Sequence, residues 1–346
     1  MPRVSVVMSV YKEPVEWLRQ SIDSILAQTF TDFEFIIIND CPTRAENGEV
    51  LNEYIERDHR IVVITNDDNI GLTKSLNKGL SIAKGEYIAR MDADDISLPK
   101  RFERQVAFLD SHPEICGIGT WTGSVDAEGN VNTAAEGMNE TDPRWVRAQF
   151  LQNSQVAHPA AMFRKQVKDH MVRYDESVRY AQDYSLWVSM LPYGEIANIP
   201  EVLFCYRTSE QQITSSKKGE QQQCAGVAQR RAFELFGFST TEAFSKQFYK
   251  MTIEHSMDIP LSDVRREFCQ FFTKAKLTKE NAFALEIIYS SYFAYLQNHS
   301  GASRLWFLLM LWKNSTPKML WLGCKMVVDL LQRKRRRKAI VNHGNA

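Results

Sequence analysis

Asp92-Ala93-Asp94-Asp95 places three carboxylates within four residues. At this spacing they repel one another and cost stability unless a cation or a network of donors sits among them. Hard oxygen ligands of this kind suit Mg²⁺ or Mn²⁺, which commonly bridge to substrate phosphates. The cluster therefore reads as a metal–diphosphate site with Asp92 and Asp94 as ligands. Asp95 reads as the N-cap of the helix expected after Pro99. A cap explains one aspartate well and three poorly. A second acidic turn, Asn39-Asp40, runs into Cys41-Pro42, where Asp40 could simply close the turn. The chain has no G-x-x-x-x-G-K-[ST] and no G-x-G-x-x-G after a strand. Their absence argues against a nucleotide hydrolase or a dinucleotide oxidoreductase.

Both acidic turns follow segments that read as strands. Val4–Val10, Phe33–Ile38, Ile61–Thr65 and Tyr87–Met91 are short, apolar and rich in β-branched residues, the pattern of strands buried on both faces. Between them, Glu16–Gln28, Val50–Arg57 and Leu72–Ala83 carry apolar residues at helical spacing, and Lys84-Gly85 reads as a C-terminal helix stop. This βαβαβαβ order predicts a mostly parallel, Rossmann-like α/β sheet with helices on both faces. Ligands bind such sheets at the carboxyl ends of the strands, where Asp40 and Asp92 fall. Further along, a helix is expected from Pro99 to Leu109, strands and loops over Gly117–Pro143, a helix over Asp183–Leu191 and a strand over Leu203–Tyr206. The expected division is a catalytic domain over 1–218 and a helical region over 219–346.

The chain has 346 residues, 44% of them hydrophobic and 24% charged, with 42 basic against 42 acidic residues. Such composition excludes a disordered chain and a small disulfide scaffold, and a chain this long can bury a core without covalent staples. Zero net charge argues against a protein that coats nucleic acid. The six cysteines are widely spaced with no C-x-x-C pair, which fits reduced thiols better than a disulfide framework or a zinc site. No secretory leader is expected at the N-terminus.

Ser9-Val10-Tyr11-Lys12-Glu13, Asn39-Asp40, the stretch from Asn69-Ile70-Gly71-Leu72 to Asn77-Lys78-Gly79-Leu80, and Gly85 through Asp95 together resemble family 2 glycosyltransferases. The likeness covers residues 3–215 and is nearest to bacterial members that build surface polysaccharides such as exopolysaccharide and O-antigen. It implies a GT-A fold and an inverting, metal-dependent transfer from a nucleoside-diphosphate sugar, a UDP-sugar by base rate, to a saccharide hydroxyl. By that similarity Ser9, Val10, Tyr11 and Glu13 would line the nucleoside pocket. Asp40 would contact the base, Lys74 would lie near the nucleotide, and Asp92 and Asp94 would meet the diphosphate and its Mn²⁺ or Mg²⁺.

Inversion needs a base on the face opposite the leaving diphosphate. Family members often carry an acidic pair before an aromatic-rich helix. The matching stretch here is Tyr180-Ala181-Gln182-Asp183-Tyr184-Ser185-Leu186-Trp187, so Asp183 takes the base position, and Gln182 stands where Glu is common. Asp183 could equally cap the helix, a role compatible with the first. After Tyr206-Arg207, Ser209 stands where a histidine is common, leaving Arg207 or Gln212 to contact the diphosphate.

The remaining signal is in the tail. Leu305–Trp312 is a run of eight apolar residues, Met319–Leu331 is again mostly apolar, and Arg333–Lys338 is six basic residues in a row. Neither apolar piece reaches the ~20 residues of a bilayer span. With three tryptophans, the pattern suggests peripheral contact of 305–338 with an anionic membrane, at the cytoplasmic face of the cell membrane, where a lipid-linked acceptor would lie. A packed helical subdomain with a solvated basic end is the plainer alternative. Other readings of the whole chain are a nucleotidyltransferase and a non-catalytic sugar-nucleotide-binding protein on the same fold.

Overall fold

The computed structural model describes residues 1–207, 218–256, 258–275, 278 and 281–300. Ser209, Gln212 and the tail 305–338, and the expectations placed on them, lie outside the described residues.

The elements alternate through the first hundred residues: β1 (Val4–Val10), α1 (Val15–Leu26), β2 (Phe33–Asn39), α2 (Ala45–Arg57), β3 (Ile61–Thr65), α3 (Leu72–Ile82) and β4 (Tyr87–Asp92). β5 (Ile96–Ser97), α4 (Arg101–Ser111), β6 (Ile115–Val125), β7 (Val131–Gly137) and α5 (Pro143–Gln149) follow. After a 3₁₀ turn (His158–Ala160) come β8 (Met162–Arg164), the small hairpin β9 (Gln166–Val167) and β10 (His170–Met171), α6 (Gln182–Met190) and β11 (Glu195–Arg207). The remaining helices are α7 (Lys218–Leu235), α8 (Glu242–Thr252), α9 (Leu261–Lys274) and α10 (Ala282–Ser300).

Among the described residues, nine strands form one sheet in the order β3-β2-β1-β4-β8-β6-β11-β5, with β7 paired to β6. The β3-β2-β1-β4 block is parallel, β11 runs parallel to β6, and β8, β7 and β5 pair antiparallel. The α/β class and mostly parallel sheet expected from the sequence are therefore present. Side chains alternate across β1. Val4, Val6, Met8 and Val10 join Leu18, Ile22 and Ile25 of α1, Leu51 and Tyr54 of α2 and Phe102, Val106 and Leu109 of α4 in one core. Val7, on the other face, meets α3 so closely that a Cβ at Gly79 would lie 2.6 Å from its Cγ1.

Several local expectations are corrected. α3 does end just before Lys84-Gly85, with Ala83 as its C-cap, but Gly85 is not left-handed: among the described residues the glycines with positive φ are Gly71, Gly129 and Gly237. Close approach is what requires it, since a Cβ at Gly85 would sit 2.6 Å from the Ser5 nitrogen, and its own N–H donates to Ser5 Oγ at 2.8 Å. α2 begins at Ala45, five residues earlier than the apolar spacing indicates, because Asn47 points inward and donates to the Tyr11 carbonyl at 2.9 Å. The strand expected over Leu203–Tyr206 extends from Glu195 to Arg207, with register shifts between Ile199 and Phe204 around Pro200.

The chain divides into two compact units, residues 1–228 and the residues from Gln229 on. The second has a phenylalanine core of its own: the rings of Phe244 and Phe271 stack at 4.4 Å and those of Phe268 and Tyr292 at 4.3 Å. Among the described residues, no helix is long and apolar enough to cross a membrane.

Candidate active site

Strand register assembles the site. Ser9 of β1 lies beside Asp92 of β4 and Ile38 of β2, and Val10 lies beside Asn39. Both acidic turns therefore leave the sheet at one carboxyl edge, the place where α/β sheets bind ligands. Val10 is itself buried and contributes its carbonyl, which accepts the Asp40 N–H at 2.8 Å. Tyr11 is 43% exposed at the rim with Lys12 over its ring. Glu13 folds back so that Oε2 accepts the Tyr11 N–H at 2.8 Å. Lys74 is exposed on α3.

Asp40 is buried and works on the protein. Its Oδ1 accepts from Asn66 Nδ2 at 2.7 Å and from the Ile70 N–H at 2.9 Å, and its Oδ2 accepts from the Gly71 N–H at 2.8 Å. Gly71 enters α3 at φ +85°, a backbone state that side chains rarely adopt. The carboxylate thus fixes the 66–71 loop and the start of α3.

The acidic turn is electrostatically tense. Asp94 is only partly exposed, and its burial, then Asp92 and Glu13, push its carboxyl up to about 7. Burial likewise raises Glu13, with Asp92 adding to the effect. Asp95 is fully buried and held well above the usual carboxylate range by desolvation and by Asp94 and Asp92. It does not cap a helix: α4 starts at Arg101 with Lys100 as its N-cap and no side-chain cap. Instead Asp95 Oδ1 accepts the Arg207 N–H from β11 at 2.8 Å. The cap reading fails because β5 intervenes and carries the chain away before α4 begins.

Two buried arginines, which no sequence pattern singled out, underlie the turn. Arg90 of β4 is 1% exposed and ion-paired to Asp92 two residues on, on the same face of the strand. Burial works against its charge, but Asp92, then Tyr174 and Asp95, hold the guanidinium above its ordinary value. Arg101 is fully buried and donates to the carbonyls of Arg90 at 2.8 Å and Ala161 at 3.0 Å. The Arg207 side chain is turned toward the protein. Its Nε donates to the Asp94 carbonyl at 2.6 Å, Nη1 to the Asp126 carbonyl and Nη2 to Gln20 Oε1 at 2.7 Å, while its carbon Cζ lies 4.9 Å from the Trp17 ring centre.

Asp183 sits in the first turn of α6, after Ala181 in the left-handed conformation. Burial raises its carboxyl above the usual range, while the Tyr184 N–H and the Ser154 hydroxyl, by bonding the charged form, pull the other way. Arg90 also favours that charged form. Tyr206 and Tyr174 each feel Asp183 together with Asp92, so the acidic turn and Asp183 act on the same groups. His158 lies beside them with Nε2 2.7 Å from Tyr174 Oη. Burial, then Arg90, holds the imidazole well below its ordinary value, and it is neutral.

Among the described residues, no three His, Cys, Asp or Glu side chains form a ready-made metal cage. A divalent cation that keeps waters and shares substrate phosphates needs only one or two carboxylates. Asp92 and Asp94, partly exposed with an excess of negative charge around them, fit that requirement.

The Glycosyl transferase family 2 profile matches residues 5–171. An uncharacterised glycosyltransferase of Methanocaldococcus jannaschii is 37% identical over 54% of this chain and 64% of its own length, so the chain spans just under two thirds of that relative. The amylovoran biosynthesis glycosyltransferase AmsE of Erwinia amylovora is 30% identical over 62% of this chain and 79% of its own length. Among solved structures, Staphylococcus aureus TarS 1–349 in complex with UDP-GlcNAc superposes with a TM-score of 0.55 at 17% identity, over 86% of this chain and 89% of that one. The mannosyltransferase PcManGT of Pyrobaculum calidifontis, with GDP-Man and Mn²⁺, superposes with a TM-score of 0.54 at 13% identity, over 96% of this chain and 88% of that one. At these identities the superpositions speak for the GT-A fold.

Proposed function

Since the chain belongs to glycosyltransferase family 2, we propose that it moves a sugar, with inversion, from a nucleoside-diphosphate donor to a saccharide hydroxyl in surface-polysaccharide synthesis. Glycosyl transfer itself follows from the family. The finer reading rests on one observation: the acidic turn and Asp183, from opposite halves of the domain, act on the same groups, the buried Arg90 and Tyr174 and the half-buried Tyr206.

In this reading the nucleoside lies along Ser9–Glu13 and the 66–71 loop, and its diphosphate faces the acidic turn. Asp92 and Asp94 would hold Mn²⁺ or Mg²⁺. When bound, the ion supplies Lewis-acid neutralisation of the departing diphosphate. Asp183 takes the proton of the acceptor hydroxyl as its oxygen attacks the anomeric carbon and the bond to diphosphate breaks. A raised pKa makes Asp183 a stronger base, and its place in the first turn of α6 keeps it oriented and ionisable. The UDP donor, the lipid-linked acceptor, the catalytic role of 1–218 and a membrane role for 305–338 at the cytoplasmic face belong to the same proposal.

The test pairs binding with turnover. UDP, GDP, CMP and dTDP are each added with Mn²⁺, Mg²⁺ or EDTA, and thermal stability is followed, because a ligand of the folded state raises it by mass action. The expected result is metal-dependent stabilisation by one diphosphate, lost in Asp94→Ala and kept in Asp183→Asn. The Asp183→Asn enzyme is expected to lose transfer by at least about 10²-fold. Near-normal transfer by Asp183→Asn removes the base assignment, and no shift with any nucleotide at millimolar concentration removes the donor reading.

A further inference from the structure

Arg207 is the last residue of β11, and three separate parts of the fold meet on it. Its backbone N–H donates to Asp95 Oδ1. Its guanidinium reaches the Asp94 carbonyl of the acidic turn, Gln20 of α1 and the Asp126 carbonyl in the β6–β7 turn. Trp17 of α1 lies against that guanidinium and donates Nε1–H to the Ala127 carbonyl at 3.1 Å, closing the ring of contacts around the same turn. Gly129, at φ +91°, packs on Gln20, whose Nε2 would lie 2.6 Å from a Cβ placed there. These contacts join segments as far as 187 residues apart in sequence. The Arg207 residue as a whole has no measurable exposure.

From this geometry we infer that Arg207 is a positioning residue of the acidic turn, not a contact to the donor. The Asp94 carbonyl is held by a charged donor on one side, and the Asp95 carboxylate by a backbone donor on the other. The one peptide unit between them therefore has its direction fixed. The Asp94 side chain leaves the backbone at that fixed point, so the aim of its carboxylate depends on a residue that need never touch the ligand. Two features favour the positioning role: each of the three guanidinium nitrogens donates to a protein oxygen, and Trp17 lies against its face. The inference rests on the proposed role of Asp94 only for its functional consequence. The mechanical part stands on the contacts alone.

Arg207→Met and Arg207→Lys separate the two. Both keep the backbone bond to Asp95 and remove the fork that holds Asp94, Gln20 and Asp126. Lysine restores a single charged donor. Amide hydrogen exchange on the full chain, without ligand, is expected to quicken about tenfold or more in peptides covering 94–98, 126–130 and 205–207 of Arg207→Met, with β1, β2 and β3 unchanged. Arg207→Lys is expected to fall between Arg207→Met and the parent. Metal-dependent affinity for the stabilising nucleotide is expected to weaken about tenfold in Arg207→Met, the order expected for losing a charge-assisted hydrogen bond. Unchanged exchange in those three segments overturns the inference, as does uniform loss of protection across the sheet, which marks a general core residue. If the parent shows no metal-dependent nucleotide binding, the donor reading falls while the exchange result still decides the positioning role.

Discussion

Asp40→Asn is a one-atom change whose cost follows from the site's hydrogen bonds. The carboxylate takes three donors, two on Oδ1 (Asn66 Nδ2 and the Ile70 N–H) and one on Oδ2 (the Gly71 N–H). Asparagine can offer its single oxygen to one side only. With oxygen toward Asn66 and Ile70, its NH₂ faces the Gly71 N–H at the 2.8 Å now spanned by a hydrogen bond, donor against donor. The flipped amide is worse, because it sets NH₂ against two donors. The better rotamer loses one charge-assisted bond, about 1.5–3 kcal/mol, and weakens two others from charged to neutral acceptance. The expected loss is about 3 kcal/mol, with the effect concentrated on the 66–71 loop. Urea denaturation of the full chain, with hydrogen exchange at Ile70 and Gly71, measures both the size and the place. Asp40→Ala is expected to cost at least as much, since it strands three donors at once. A change below about 0.5 kcal/mol in both variants would refute the claim that this carboxylate anchors the loop. Loss of nucleotide binding with stability intact would leave Asp40 as a base contact alone.

Three further outcomes are expected. Gly85→Ala drives a methyl group into the backbone of β1 at Ser5, and a drop of about 2 kcal/mol or more in a urea titration is expected. Asn77 of α3 accepts the Tyr174 N–H at 2.9 Å and donates to the Tyr174 carbonyl at 3.0 Å. Asn77→Ala is expected to cost about 2–3 kcal/mol and to raise amide exchange at Tyr174. His158 is neutral when folded and binds a proton more readily when unfolded, so its contribution is complete above its ordinary pKa of 6.5 and is lost as pH falls. The stability difference between the parent and His158→Gln is expected to shrink by about 1.4 kcal/mol per pH unit below 6.5, read from urea midpoints between pH 5 and 7. A pH-independent difference would show that the imidazole is not held neutral.

The parallel block was legible in the sequence because its strands are buried on both faces. Val4–Val10 and Phe33–Asn39 are predominantly apolar on both faces, and the turns that follow must then share an edge. The three-aspartate cluster was legible because unpaired charge at such density needs a partner. What could not be read was which partner each carboxylate takes. Asp95 looks like a cap until β11 returns, 112 residues later, to give it a backbone donor. No sequence pattern singles out Arg90 or Arg101, and only the tertiary fold shows that both are buried under the turn. Gly85 carries the composition of a helix stop, but a strand pressed against it is what forbids a side chain there.

The reach of the Asp95–Arg207 bond bears on how the molecule is made. Synthesis delivers the chain from its N-terminus, and domains form as their contacts become available. The β3-β2-β1-β4 block needs nothing beyond residue 92 for its pairing, so it can form while the chain is still growing. The turn that follows has Asp92 paired to Arg90, but Asp95 lacks its backbone donor until β11 has been added beside β6 and its last amide arrives. Nascent chains ending before Arg207 would carry a formed parallel block and an unlocked acidic turn. The acidic turn would then be locked in one late step, with the docking of β11.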